Sequence, residues 1–220
     1  MFQTDPFSLI VLLVGMSLLP FLAMVATSYL KIVVVISLVR NALGIQSIPP
    51  NMVVNALALI LSFFVMAPVV EKGWDIFREE AAKNKEAKAV YETQIAAKAA
   101  EPMREWLIRQ TDEKSRAFFV STAEQLWAKE GEEKAEVNPE SFYILIPSFC
   151  VSELTKAFQI GFLVYLPFIA IDIIISNILL AMGMMMVSPV TISLPFKLLL
   201  FVMVNGWTLL IQGLVRGYVL

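Results

Sequence analysis

Apolar residues run almost without interruption from Ser8 to Val39, again from Met52 to Val70, and a third time from Phe142 to Leu220. No period-two alternation accompanies these runs, so they predict helices rather than the strands of a β-barrel. The first block has one charge in 32 residues; as a continuous helix it would extend ~48 Å, well beyond a ~30 Å hydrocarbon core. It must therefore bend, tilt or leave a bilayer, and Gly15 with Pro20 is the expected break. The connector Arg40-Asn41-Ala42-Leu43-Gly44 and the turn signal Pro49-Pro50 then lead into the second block, which has Pro68 near its end. The two blocks together predict a helical hairpin over residues 1–70.

Polarity changes abruptly at Glu71. Of the 36 charged side chains, 28 lie between Glu71 and Glu140, which marks 71–140 as an aqueous, amphipathic helical segment. Trp74, Phe77 and Ala81 are spaced for one helix face, and a Lys/Glu/Ala-rich stretch runs on to Ala100. After Pro102, the rows Phe118, Thr122, Leu126 and Phe119, Ala123, Trp127 lie side by side on one face of a helix that Asp112 can cap and Gly131 can end. Asn138-Pro139-Glu140 is a further helix start, with a capping amide, proline at the first helical position and an acid in the first turn. Residues 141–220 return to apolar character, punctuated by Pro147, Gly161, Pro167, Gly183, Pro189, Pro195 and Gly206, which predicts broken helices packed in an assembly. The expected fold is thus all-α: membrane-type helical hairpins with Pro/Gly-broken long helices, and an amphipathic middle segment.

Composition narrows the function. A hydrophobic content of 58% and a mean hydropathy of +0.74 exceed what a soluble core requires. The net charge is −2 and the charged segment is mixed in sign, which points away from nucleic acid and towards protein partners. There is no histidine, and Cys150 is the single cysteine, so the commonest general base, the thiolate–imidazole pair and an intrachain disulfide are all absent. No catalytic residue, metal ligand or cofactor site is expected. The first positive residue is Lys31, so no basic region precedes the first apolar block, and the N-terminus reads as retained.

Two sets of residues stand out from the apolar background. Glu153, Asp172 and Lys197 are charges in apolar surroundings, where an unpaired ion costs several kcal/mol. One reading pairs Glu153 with Lys197, within or between subunits; the other leaves Glu153 and Lys156 at a membrane interface. Asp172 has no second acid or histidine beside it to form a proton relay. The run Met184-Met185-Met186 advances ~100° per residue on a helix, so its members cannot share one face. Gly183 before it and Ser188-Pro189 after it supply hinges for a non-helical loop. Flexible thioethers can simply fill irregular packing, or, turned towards an axis by several copies, they can form a deformable apolar gasket. The chain then reads as a channel component, with a small polytopic ion or solute transporter as the alternative.

Arg40-Asn41-Ala42-Leu43-Gly44 followed by Pro49-Pro50-Asn51 resembles the first signature of the R subunit of the type III secretion export apparatus. Ser152-Glu153-Leu154, Ala157-Phe158-Gln159-Ile160-Gly161-Phe162, Leu166-Pro167-Phe168, Asp172, Met182 to Met186, Ser188-Pro189 and Leu194-Pro195-Phe196-Lys197 resemble the second. The flagellar counterpart FliP shares the pattern, but its members usually carry a cleavable leader, so the injectisome branch is the nearer likeness. The resemblance implies a structural, non-enzymatic subunit of a protein-conducting portal in the bacterial inner membrane, projecting towards the periplasm, with 71–139 on that side. It implies a pentamer-like spiral of R copies wound with S and T subunits, next to the export gate V subunit and the inner rod and needle proteins, and conducting unfolded protein substrates. It further implies that Met184, Met185 and Met186 form the constriction and that Glu153 and Lys197 bridge neighbouring copies.

Overall fold

The computed structural model describes residues 6–45, 47–83, 89–128 and 135–218, and among them all regular structure is helical. The helices are α1 (Pro6–Val25), α2 (Tyr29–Ala42), α3 (Asn51–Lys83), α4 (Ala89–Ala99), α5 (Glu101–Gln110), α6 (Glu113–Leu126), α7 (Phe142–Ala181), α8 (Pro189–Met203) and α9 (Gly206–Arg216). Asn51–Ala82 and Phe142–Ala181 are each long and apolar enough to cross a membrane, and two bent pairs, α1 with α2 and α8 with α9, pass the same test together.

The helices break at fewer places than the prolines predict. The first apolar block does not break at Gly15 or Pro20: α1 continues through both, and the chain bends by 56° at Ala26–Ser28. There the Thr27 hydroxyl donates to the Ala23 carbonyl and accepts the Tyr29 N–H, offering the backbone a local alternative to the helical ladder. Likewise α7 runs unbroken for 40 residues through Pro147, Gly161 and Pro167, and α3 for 33 residues through Pro68 and across the charge boundary at Glu71. A proline costs ~3 kcal/mol in a helix interior, less than a long apolar stretch loses if its backbone is opened in an apolar setting. The interruptions in the last section fall at two of the expected places, at Met182–Ser188 around Gly183 and before Pro189, and at Val204–Asn205 just before Gly206, where Asn205 takes a left-handed φ of 52° and the chain bends by 59°.

Helix α7 starts at Phe142, not at Pro139. The Asn138 side chain accepts the Glu140 N–H in a turn, and the Ser141 carbonyl accepts the first helical N–H groups, from Ile144 and Leu145. Asp112 occupies the cap position of α6 but makes no side-chain cap bond; its own N–H donates to the Ser152 hydroxyl at 3.0 Å. Gly131 lies outside the described residues.

The chain forms two compact units. The first takes the chain up to Leu30 together with Met66–Ser152, and the second takes Lys31–Val65 with Glu153–Leu220. In the first unit Leu107, Leu145 and Phe149 are fully buried, and Trp106 packs on Phe149 with ring centroids 5.2 Å apart. Of the two rows expected on α6, Ala123 is buried while Phe118, Leu126 and Trp127 are exposed. Half-buried Cys150 points its thiol at the Val25 carbonyl.

The second unit holds the candidate site. Ile32, Val35, Ile36 and Val39 form an i, i+3, i+4, i+7 stripe on α2 that is buried to within 1%. Helix α7 approaches α2 closely at Gly161, where an added Cβ would lie 2.3 Å from Leu38 Cδ1 and 3.1 Å from Leu38 Cβ. Phe168, Phe201 and Trp207 form an aromatic series joining α7, α8 and α9.

Candidate functional site

The tip of the α7–α8 hairpin is the methionine run. Gly183, at φ +74°, ends α7: its N–H donates to the Leu180 carbonyl, and the Met184 N–H reaches back to Leu179 at 2.9 Å. That pair of bonds is a Schellman closure, which satisfies the last helical carbonyls and turns the chain sharply away from the helix axis. Ser188, in extended conformation, and Pro189 at the first helical position then start α8. Met184 to Met186 are therefore held outside any helix, as their spacing and flanking breakers predict. Their side chains are uncovered within the chain, and Met186 is 100% exposed.

An added Cβ at Gly183 meets nothing within 4 Å, so conformation alone fixes this position. Gly183→Ala is expected to cost about 1–2 kcal/mol, the penalty for an L-residue in the left-handed region, and Gly183→Asn clearly less. Thermal unfolding of the purified variants checks that order.

Below the loop lies the first charged cluster. Asp172 on α7 accepts from the Ser193 hydroxyl at 2.5 Å and from the Lys197 ammonium at 2.6 Å. Lys197 also donates to the Ala42 carbonyl, the last of α2, at 3.2 Å. Ser193 and Lys197 are one helical turn apart on α8, so one carboxylate holds both. Lys197 is 3% exposed, and a buried ammonium with these partners is compensated on two sides.

The second cluster surrounds Glu153, which is fully buried. Its carboxylate takes Lys31 at 3.3 Å, Lys156 at 3.7 Å and the hydroxyl of Tyr218 from beyond α9. The Lys31 ammonium also sits 3.6 Å over the Tyr218 ring, a cation–π contact.

Within the chain, then, Glu153 and Lys197 are not paired. Each is satisfied by a different partner, because α2 brings Lys31 to Glu153 while α7 itself presents Asp172 to α8. Sequence reasoning missed Lys31, Ser193 and Tyr218. The available signal was the short inventory of charges in the apolar blocks, where Lys31 and Asp172 supply a second base and a second acid. Among the described residues, no three His, Cys, Asp or Glu side chains come together to hold a metal ion. The arrangement offers a soft, uncharged loop and two buried charge clusters that fix its supporting helices.

Residues 12–214 match the FliP family. The chain is 50% identical over 214 residues to Yop proteins translocation protein R of Yersinia pestis, covering 97% of both chains. It is 47% identical over 214 residues to hypersensitivity response secretion protein HrcR of Ralstonia nicotianae, covering 96% of both. It is 45% identical over 217 residues to virulence protein YscR of Salmonella typhimurium, covering 97% of both.

Proposed function

The chain belongs to the FliP family and is a subunit of a type III secretion export apparatus, and from that premise we propose that several copies together form the portal through which unfolded proteins are exported. The apparatus is a multi-subunit complex, and the chain is a membrane protein within it. In this proposal the copies wind with S and T subunits in the inner membrane, next to the V subunit and the rod and needle proteins, and project towards the periplasm. The chain contributes no reaction of its own. Met184, Met185 and Met186 ring the axis and close it at rest.

The observation that carries this reading is the loop itself: three consecutive thioethers, exposed, held out of helix by the Gly183 closure and by Pro189. A thioether has no charge to attract ions and no rigid shape, so a ring of them excludes water yet yields to a passing chain of any sequence. A bridge between Glu153 and Lys197 of neighbouring copies would require each to leave its present partner, so the proposal does not depend on it. Replacing Met184, Met185 and Met186 with alanine is expected to raise small-ion leakage through the assembled complex in lipid vesicles. Unchanged leakage at wild-type assembly would remove the constriction from the proposal, and a stable monomer that itself moves ions would remove the portal.

A further inference from the structure

The connector between α2 and α3, from Arg40 to Asn51, has no part in the reading above. It is nevertheless built with care. Gly44 sits at φ +79°, its N–H donates to the Asn41 carbonyl, and the Ile45 N–H reaches back to the Arg40 carbonyl, the same closure that ends α7 at the methionine loop. Arg40 then spans the connector, donating to the Pro49 carbonyl at 3.1 Å and to the Asn51 side-chain oxygen at 2.6 Å. These bonds tie the end of α2 to the start of α3.

The Gly44 turn faces α8. A Cβ at Gly44 would lie 3.8 Å from the Val190 side chain and 3.9 Å from that of Leu194, so the turn faces the first two turns of α8 with room for no more than a small side chain between them. One turn further, Lys197 donates to Ala42 and is ion-paired to Asp172. Val190, Ser193, Leu194 and Lys197 stand at i, i+3, i+4 and i+7, a single face of α8. That face is held at Lys197 by the last carbonyl of α2, and at Ser193 and Lys197 by Asp172 of α7. The methionine loop enters α8 at Pro189, one residue before this face begins.

We propose that the Gly44 turn and the Arg40–Asn51 tie at the end of α2 brace the methionine loop through α8, with Lys197 as the joint between the end of α2, α7 and α8. The loop has two ends. Its upstream end is set by the Gly183 closure on α7, and its downstream end is set by α8, which is held from the end of α2. Arg40 and Asn51 are thus positioning residues for a loop that neither of them touches. The mechanical part of the inference stands on these contacts alone; its bearing on leakage rests on the constriction reading.

The test uses the full chain in its assembled complex, with Cys150→Ser and a nitroxide label introduced through Met185→Cys. A second preparation carries the label through Phe63→Cys on the exposed face of α3. In Asn51→Ala, which removes one hydrogen bond from an exposed side chain, and in Arg40→Met, the spectrum of the label at 185 is expected to narrow as the loop gains mobility. The label at 63 is expected to stay as it is. Lys197→Met should have the same effect, and Lys197→Arg should largely restore the parent spectrum. An unchanged spectrum at 185 in the assembled Asn51→Ala complex, or equal narrowing at both labels, overturns the brace. Greater mobility at 185 with unchanged ion leakage upholds the brace and counts instead against the constriction.

Discussion

Replacing Lys31 with methionine is expected to destabilise the protein by up to about 3–5 kcal/mol, the usual cost of removing one member of a buried ion pair, with Lys156 and the Tyr218 hydroxyl left to offset part of it. The size follows from the site. Glu153 is fully buried and lies 3.3 Å from Lys31, its only deeply buried cationic neighbour among the described residues; Lys156, at 3.7 Å, has a side chain 30% exposed. Methionine matches the length of the lysine stem, so packing is retained while the charge is lost, and the ring of Tyr218 keeps an apolar neighbour in place of its cation. The double variant Lys31→Met/Glu153→Gln is expected to be more stable than Lys31→Met alone, because a neutral amide carries a much smaller desolvation cost than an unpaired carboxylate. Denaturant unfolding of the detergent-solubilised chain, run as a double-mutant cycle, measures the coupling. If the two single effects simply add, Lys31 is not what compensates Glu153.

The outcome for Glu153 also marks where the sequence stops being informative. Charges in apolar runs announce that partners exist, because the cost of an unpaired ion is a property of the residue and its surroundings. Which partner is chosen depends on the distances between helices, and those are set by packing. The close approach at Gly161 brings α2 against α7, and that approach, not any local pattern, places Lys31 rather than Lys197 beside Glu153. The methionine loop is the opposite case. Its conformation is fixed within eight residues by a glycine that accepts positive φ and a proline that begins the next helix, so adjacent residues carried the whole signal.

Proline gave the least reliable information. Pro20, Pro68, Pro147, Pro167 and Pro195 all lie inside helices, whereas the bend at Thr27 comes from a side-chain hydroxyl and the bend at Asn205 from a left-handed backbone. A proline removes one hydrogen bond from a helix whose remaining bonds and apolar packing persist. A left-handed residue or a competing hydroxyl redirects the chain itself. In apolar helices of 33 and 40 residues, the first effect is too small to end the element.

The bend at Asn205 leads to the second large effect, expected for Gly206→Ala. Alanine is normally the better helix residue, and reducing the freedom of the unfolded chain favours it over glycine by about 0.4–1 kcal/mol where the backbone allows. Here the added Cβ would lie 2.3 to 2.7 Å from three atoms of the Phe201 ring. The ring stands edge-on to Trp207 at 5.4 Å and 6.4 Å from Phe168, so moving aside into the groove it lines gives up both contacts. Overpacking of this kind costs about 1–3 kcal/mol, so it outweighs the entropic gain and the variant is expected to melt below the parent. Phe201→Leu removes the clashing edge, and Gly206→Ala should be far less harmful in that background than in the parent, which thermal unfolding of the four proteins can establish. If Gly206→Ala instead raises the melting temperature, the Phe201 ring yields freely and the aromatic series does not fix the seat of α9. The same substitution also acts on the apolar groove of about 540 Å³ between α7, α8 and α9, which Phe201 and Gly206 line together, so a lower melting temperature in this variant would report that α9 is held there by shape and not by apolar area alone.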